Sequence, residues 1–160
     1  MFRIGFGTDV HRLVEGRRLV IGGVVIDSDL GADGHSDADV LLHAATDAVL
    51  GALALGDIGT HFPNTDDRWR NAESWEFLLY AVGLANERGF HIVNIDTTID
   101  LERPKLRPHI DAIRAGLANA LRVEIGQVSV KAKTGEAVDG VGEGRAIRAQ
   151  AMILLERREH

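Results

Sequence analysis

Phe2-Arg3-Ile4-Gly5-Phe6-Gly7-Thr8-Asp9-Val10-His11-Arg12-Leu13 is the stretch from which the rest of the chain is read. Its alternation predicts a strand over residues 2–13. Strand side chains change face with period two, so Asp9 and His11 share one side. Together they offer one carboxylate oxygen and one imidazole nitrogen. His43 falls in a helical segment, and from a neighbouring helix it completes a three-ligand O/N/N site. Such a site leaves one coordination position open, as a catalytic zinc does and a closed structural zinc does not. The chain has no cysteine, which excludes a thiolate centre and any disulfide.

Working outward, residues 18–26 predict a second strand after a turn at Glu15-Gly16. Residues 28–36 are rich in glycine and aspartate and predict a loop. Ser36 or Asp37 is the expected N-cap of a helix over about 38–54, whose apolar residues Val40, Leu41, Ala44, Ala48 and Leu55 keep helical spacing. Residues 56–72 show no period and predict a long loop, which in a compact domain is usually functional or mobile. A helix over 73–88 ends at Gly89. A strand follows over 90–101, then a helix over about 107–122 with Pro108 in its first turn. Strands over 127–133 and 145–157 flank a glycine-rich loop, 134–144. The order β-β-α-α-β-α-β-β implies an α+β (α/β-like) fold, a single mixed four-to-five-stranded sheet covered on one side by helices. No composition shift divides the chain, so residues 1–160 are expected to form a single catalytic domain.

The 160 residues are 45% hydrophobic and 26% charged, with a net charge of −6. That balance is ordinary for a soluble globular protein. It argues against a nucleic-acid partner, and the cationic residues form no run. No apolar stretch approaches the length of a membrane span. Arg3 is followed by alternation rather than by a signal-like apolar run. Zero cysteines fit a reducing compartment, so the expected location is cytoplasmic.

Asp39, His43 and Asp47 are spaced by four and share a helix face. A carboxylate accepting the second ring N–H of a metal-bound histidine is the usual outer support, so Asp39 and Asp47 are expected to steady His43. Asp37 reads equally well as a cap. The glycines of Gly56-Asp57-Ile58-Gly59 would let backbone approach a ligand. Turn chemistry accounts equally well for that segment and for Phe62-Pro63-Asn64-Thr65-Asp66. Lys131-Ala132-Lys133-Thr134-Gly135-Glu136 has the make-up of an anion-binding turn, with Glu136 as a hard oxygen ligand for Mg²⁺. It lacks the full P-loop pattern. No Gly-x-Ser-x-Gly elbow or Rossmann fingerprint is present.

With these motifs in hand, the chain resembles the 2-C-methyl-D-erythritol 2,4-cyclodiphosphate synthase family. The similarity is carried by Gly7-Thr8-Asp9-Val10-His11, Ile21-Gly22-Gly23, His35-Ser36-Asp37-Ala38-Asp39-Val40, Leu42-His43-Ala44, Thr46-Asp47-Ala48, Leu55-Gly56-Asp57-Ile58-Gly59, Phe62-Pro63, Arg103-Pro104-Lys105, Pro108-His109 and Val130-Lys131-Ala132-Lys133-Thr134. It runs from residue 3 to about 155.

The resemblance implies zinc, one per subunit, on Asp9, His11 and His43. It makes His35 and Thr134 the residues that position or stabilise the reacting phosphates. It gives Glu136 a second divalent ion, Mg²⁺ or Mn²⁺, shared with the substrate diphosphate. Ser36, Asp57, Ile58, Gly59, Phe62, Asn64 and Asp66 would hold the methylerythritol part. Leu101, Pro104, Lys105 and Leu106, with Ala132, Lys133 and Thr134, would line a cytidine pocket. It further implies a homotrimer with sheets packed around a threefold axis and active sites between subunits. The implied reaction is a lyase-type intramolecular phosphoryl transfer in non-mevalonate isoprenoid synthesis. Two readings compete: a zinc-dependent phosphohydrolase using Asp57 as base, and a non-catalytic trimeric metabolite-binding protein.

Two positions depart from the family pattern. Asn64 stands where an aspartate is usual, so it accepts hydrogen bonds without bringing charge. Gly142-Glu143-Gly144-Arg145 reverses the common arginine-first order, which puts in doubt an isoprenoid diphosphate at the trimer axis. Glu143 is expected to pair with Arg145, because like charges crowded together repel.

Overall fold

The structure is a computed structural model and describes residues 1–158. Its strands are β1 (Phe2–Glu15), β2 (Leu19–Ile21), β3 (Val24–Ile26), β4 (Leu30–Ala32), β5 (Phe90–Asp100), β6 (Val128–Lys133) and β7 (Ala146–Arg157). Its α-helices are α1 (Val40–Ala52), α2 (Ile58–His61), α3 (Ser74–Glu87), α4 (Ile110–Leu121) and α5 (Asp139–Gly142). Five strands form one mixed sheet in the order β4-β1-β7-β5-β6, and β2-β3 is a separate hairpin. Only the β5–β6 pair of the large sheet is parallel, and α4 supplies the crossover that a parallel pair requires. Among the described residues no helix is long and apolar enough to cross a membrane.

The main elements lie close to their expected ranges, and three local readings are corrected. The expected strand over 18–26 breaks into β2 and β3, because Gly22 and Gly23 both take positive φ (60° and 76°) and turn the chain back on itself. Residues 30–32, expected in a loop, form β4 and pair with the end of β1. The N-cap of α1 is Asp39, whose carboxylate accepts from Leu42 N at 3.1 Å. Asp37 instead accepts from Ser74 N, at the start of α3. The long loop is also less irregular than expected, since α2 and a 3₁₀ turn at Asp67–Trp69 lie within it.

Helix α1 is buried nearly all round. It packs between the sheet and α3, so it reads as apolar rather than striped. Its approach to β1 depends on two glycines. A Cβ at Gly5 would lie 1.8 Å from Ala48 O, and one at Gly7 would lie 2.0 Å from Ala44 O. The bare backbone of β1 therefore sits directly under α1, which brings His43 over Asp9 and His11. The opposite face of the sheet is uncovered: Phe2, Ile4, Phe6, Val10 and Met152 are each more than half exposed. Phe6 and Met152 are register partners, as are Ile4 and Leu154, so these side chains make a continuous apolar patch of the kind that marks an interface.

A candidate metal centre

The odd residues of β1 face the helices, which places Asp9 and His11 beneath the first turn of α1. Asp9 Oδ2 lies 2.9 Å from His11 Nε2 and 3.0 Å from His43 Nδ1, and the two ring nitrogens are 3.2 Å apart. Among the described residues these three form a group able to hold a metal ion. Tetrahedral zinc with bonds of about 2.0–2.1 Å needs ligand atoms about 3.3 Å apart. The triangle is therefore one face of such a tetrahedron, slightly contracted.

The tautomers make the case stronger. His11 Nδ1 is 2.7 Å from Asp33 O. A carbonyl oxygen only accepts, so His11 carries its proton on Nδ1 and presents a lone pair at Nε2. Ser74 Oγ donates its single proton to Asp37 Oδ1. It must then accept the Nε2–H of His43, 2.8 Å away, which leaves His43 Nδ1 bare. Two lone pairs and a carboxylate thus converge with no proton between them. That donor set fits a divalent cation.

Electrostatics point the same way. Burial pushes the Asp9 carboxyl up, but whenever the facing nitrogens of His11 and His43 carry protons, their hydrogen bonds and Coulomb attraction outweigh it and hold Asp9 well below the usual carboxylate range. Asp9 is therefore an anion near neutral pH. Burial lowers His11 and the Asp9 carboxylate raises it, and the net effect is upward. The site attracts positive charge.

A cavity of about 550 Å³ opens beside the triad. His35, Ser36, Ile58, Gly59, Phe62 and Asn64, all singled out in the sequence, line it with His11 and His43. The Nε2 of His35 is buried with no partner. Asp57 and Asp66 are not among the lining residues. Asp57 caps α2 by accepting from Thr60 N and Oγ1. Asp66 caps the 3₁₀ turn and pairs with Arg68 at 2.6 Å.

The expected support of His43 by Asp39 does not form. Asp39 sits outside the helix proper as its cap, with φ −69° and ψ 94°, so the i,i+4 geometry does not apply to it. Its carboxylate accepts from Gly22 N and Gly23 N as well as from Leu42 N. Burial still pushes it up to about 6 against those three donors. Asp47 accepts from Ile58 N at 2.7 Å and ties α2 to α1. The outer support of His43 comes instead from Ser74, backed by Asp37, and from Ser36 Oγ at 3.1 Å. Ser74 carried no sequence signal, because its partner Asp37 lies 37 residues away.

A second cavity, of about 290 Å³, is lined by Leu101, Lys105, Leu106, Ala132, Lys133 and Thr134. Pro104 lines a different surface hollow, with Arg103 and Glu143. Glu136 is exposed and accepts from Thr134 Oγ1 at 2.8 Å. Glu143 pairs with Arg145, as charge repulsion led us to expect. The two cavities share no lining residue. Register places Asp9 beside Ala149, Ala149 beside Ile99, and Ile99 beside Ala132. Three strand spacings, about 14 Å, therefore separate the metal triad from the second cavity within one chain.

A mixed sheet with one helical layer and a candidate O/N/N metal site on its covered face defines a class of protein, and similarity to known proteins identifies it. Residues 2–156 match the YgbB family; the chain belongs to that family. It is 53% identical to the 2-C-methyl-D-erythritol 2,4-cyclodiphosphate synthase of Solibacter usitatus, covering 97% of this chain and 98% of that one. A solved synthase of the same name with CDP bound superposes with a TM-score of 0.89 at 42% identity, over 96% of this chain and 100% of the other. The bifunctional IspDF of Campylobacter jejuni superposes with a TM-score of 0.95 at 36% identity over 99% of this chain, which spans 43% of that longer chain.

Proposed function

We propose that this enzyme converts 4-diphosphocytidyl-2-C-methyl-D-erythritol 2-phosphate into 2-C-methyl-D-erythritol 2,4-cyclodiphosphate and CMP, as a phosphorus–oxygen lyase of non-mevalonate isoprenoid synthesis. The observation that carries the reading is the convergence of one Asp9 oxygen and the ring nitrogens of His11 and His43 at a cavity also lined by His35. The 2-phosphate oxygen attacks the β-phosphorus of the diphosphate, that P–O bond forms, and the bond to CMP breaks. A phosphate monoester has its second pKa near about 6 and is already an anion, so the nucleophile needs no base. The work left to the protein is positioning and charge neutralisation.

Asp9, His11 and His43 would hold zinc, whose role when bound is to polarise a phosphate oxygen at the open position. His35 lines the same cavity and would position the reacting phosphates. Ile58 and Gly59 hold the methylerythritol part. Lys105 and Lys133 draw the cytidine diphosphate to the second cavity, where Thr134 meets its phosphates. Thr134 also holds the Glu136 carboxylate, which is the place for Mg²⁺ or Mn²⁺. A phosphohydrolase would need a carboxylate base near the open position. Asp57, its only candidate in the sequence, is taken up by Thr60 and does not line the cavity.

Phosphorus NMR of the purified protein with substrate and Zn²⁺ plus Mg²⁺ tests the function. The expected products are the cyclic diphosphate and CMP, and chelation of the metals abolishes their formation. Release of inorganic phosphate instead would overturn the reading.

Residues 1–160 would act as a single catalytic domain that needs its neighbours. The apolar sheet face around Phe6 and the separation of the two cavities support a homotrimer, in which the metal cavity of one subunit meets the nucleotide cavity of the next. Light scattering should give about three times the 17.4 kDa subunit mass. Phe6→Asp should shift the protein toward single subunits and remove activity while leaving the metal bound. A subunit-sized wild-type protein at micromolar concentration would contradict the assembly.

A further inference from the structure

Residues 32–36, which lead from β4 past the metal triad, have every backbone carbonyl engaged. Asp33 O accepts from His11 Nδ1 at 2.7 Å, and His35 O accepts from Asn71 N at 2.8 Å. The other three carbonyls go to one side chain. The Arg17 guanidinium donates through Nε to Ala32 O at 3.2 Å, and through one terminal nitrogen to Gly34 O at 3.2 Å and Ser36 O at 2.8 Å. Arg17 does not line the metal cavity, and no carboxylate pairs with it among the described residues. Its own backbone is held by a close approach, since a Cβ at Gly31 would stand 2.3 Å from Arg17 O. Ala32 and Ala38 belong to the hydrophobic core, but none of residues 33–37 does. Hydrogen bonds rather than apolar packing therefore place that segment.

We propose that Arg17 is a positioning residue for the reaction: by holding the Ala32, Gly34 and Ser36 carbonyls, it sets where this loop presents His35 to the cavity and the Asp33 carbonyl to His11. Three contacts of the site hang on the loop. His35 lines the cavity, Asp33 O meets His11, and Ser36 Oγ lies 3.1 Å from His43 Nε2. The clearances are small, because a Cβ at Gly34 would meet His11 Cε1 at 3.1 Å. The loop backbone thus lies against the ring of a triad residue. Arginine suits this task, since its planar fork of five N–H donors reaches several acceptors at once, whereas a lysine ammonium is a single point. Displacing a group that must meet the reacting atoms by about 1 Å costs about a hundredfold in rate. In the function proposed above, on which this assignment rests, His35 is such a group.

Two variants test it. Arg17→Lys keeps the charge and loses the fork; Arg17→Gln loses the charge and keeps one amide donor. The assay uses saturating Zn²⁺ and Mg²⁺, with kcat counted per CDP site titrated by calorimetry. Both variants should lose roughly tenfold to a hundredfold in kcat, while KM and CDP affinity stay close to wild type. Amide hydrogen exchange should speed up across residues 33–37 and stay unchanged in β7. A wild-type kcat per site in Arg17→Lys, with or without a lower melting temperature, would reduce Arg17 to a charge or a fastener and overturn the assignment. So would unchanged exchange in the loop, or the failure of both variants to fold. A wild-type protein that forms no cyclic diphosphate would overturn the function, and this assignment with it.

Discussion

Gly7→Ala should lower the melting temperature by on the order of 10 °C and weaken metal binding at the same time. Its new Cβ would stand 2.0 Å from Ala44 O and 2.7 Å from Ala48 N, both backbone atoms of α1. No rotamer relieves such a contact, so the helix has to move off the strand. Ordinary overpacking costs about 1–3 kcal/mol, and a clash with backbone belongs at or above the top of that range. For a domain of this size each kcal/mol is about 2–4 °C. The effect on the metal follows from geometry: α1 carries His43, and Asp9 lies two residues beyond Gly7, so lifting α1 opens the 3.0 Å gap between them. Gly51→Ala is the matched control. It lies in the same helix, its Cβ would meet only Phe6 O at 3.7 Å, and alanine there should stabilise by about 0.5–1 kcal/mol. Differential scanning calorimetry with metal analysis reads both variants. Equal melting temperatures would refute the close-approach argument.

His43→Ala should lower metal affinity by more than about a hundredfold and activity with it. Two ligands remain on β1, and loss of an outer support alone typically costs about 10–100-fold. Ser74→Ala should fall between this variant and the wild type. It removes the acceptor for His43 Nε2–H, but Ser36 Oγ, at 3.1 Å, can take that role. Competition with a chromogenic chelator ranks the three proteins. A His43→Ala protein that keeps its metal would remove His43 from the ligand set. A Ser74→Ala protein equal to wild type would leave the Asp37–Ser74 pair as mere fastening of α3.

The contrast between Asp39 and Ser74 shows how far local pattern reaches. Four-residue spacing put Asp39 and Asp47 beside His43. Spacing describes positions inside a helix, however, and it does not say where the helix begins. Asp39 proved to be the cap, its carboxylate bound by the N–H groups of Gly22, Gly23 and Leu42. The support of His43 came instead from α3, across the loop that links the two helices. The same limit hid Trp69, whose ring packs against Phe62 and Phe77 although it lies in a polar loop with no period.

By itself the sequence determined the strand that pairs Asp9 with His11, the helix that carries His43, the alternation of the long strands and the net charge. All of these follow from period and composition, which act over a few residues. The tertiary structure alone decided the height of α1 above Gly5 and Gly7, the hydrogen-bond partners of His11 and His43, and the separation of the two cavities across three strands. Those depend on contacts between segments tens of residues apart. Their distances are set by packing and by where each donor finds an acceptor, neither of which a local pattern encodes.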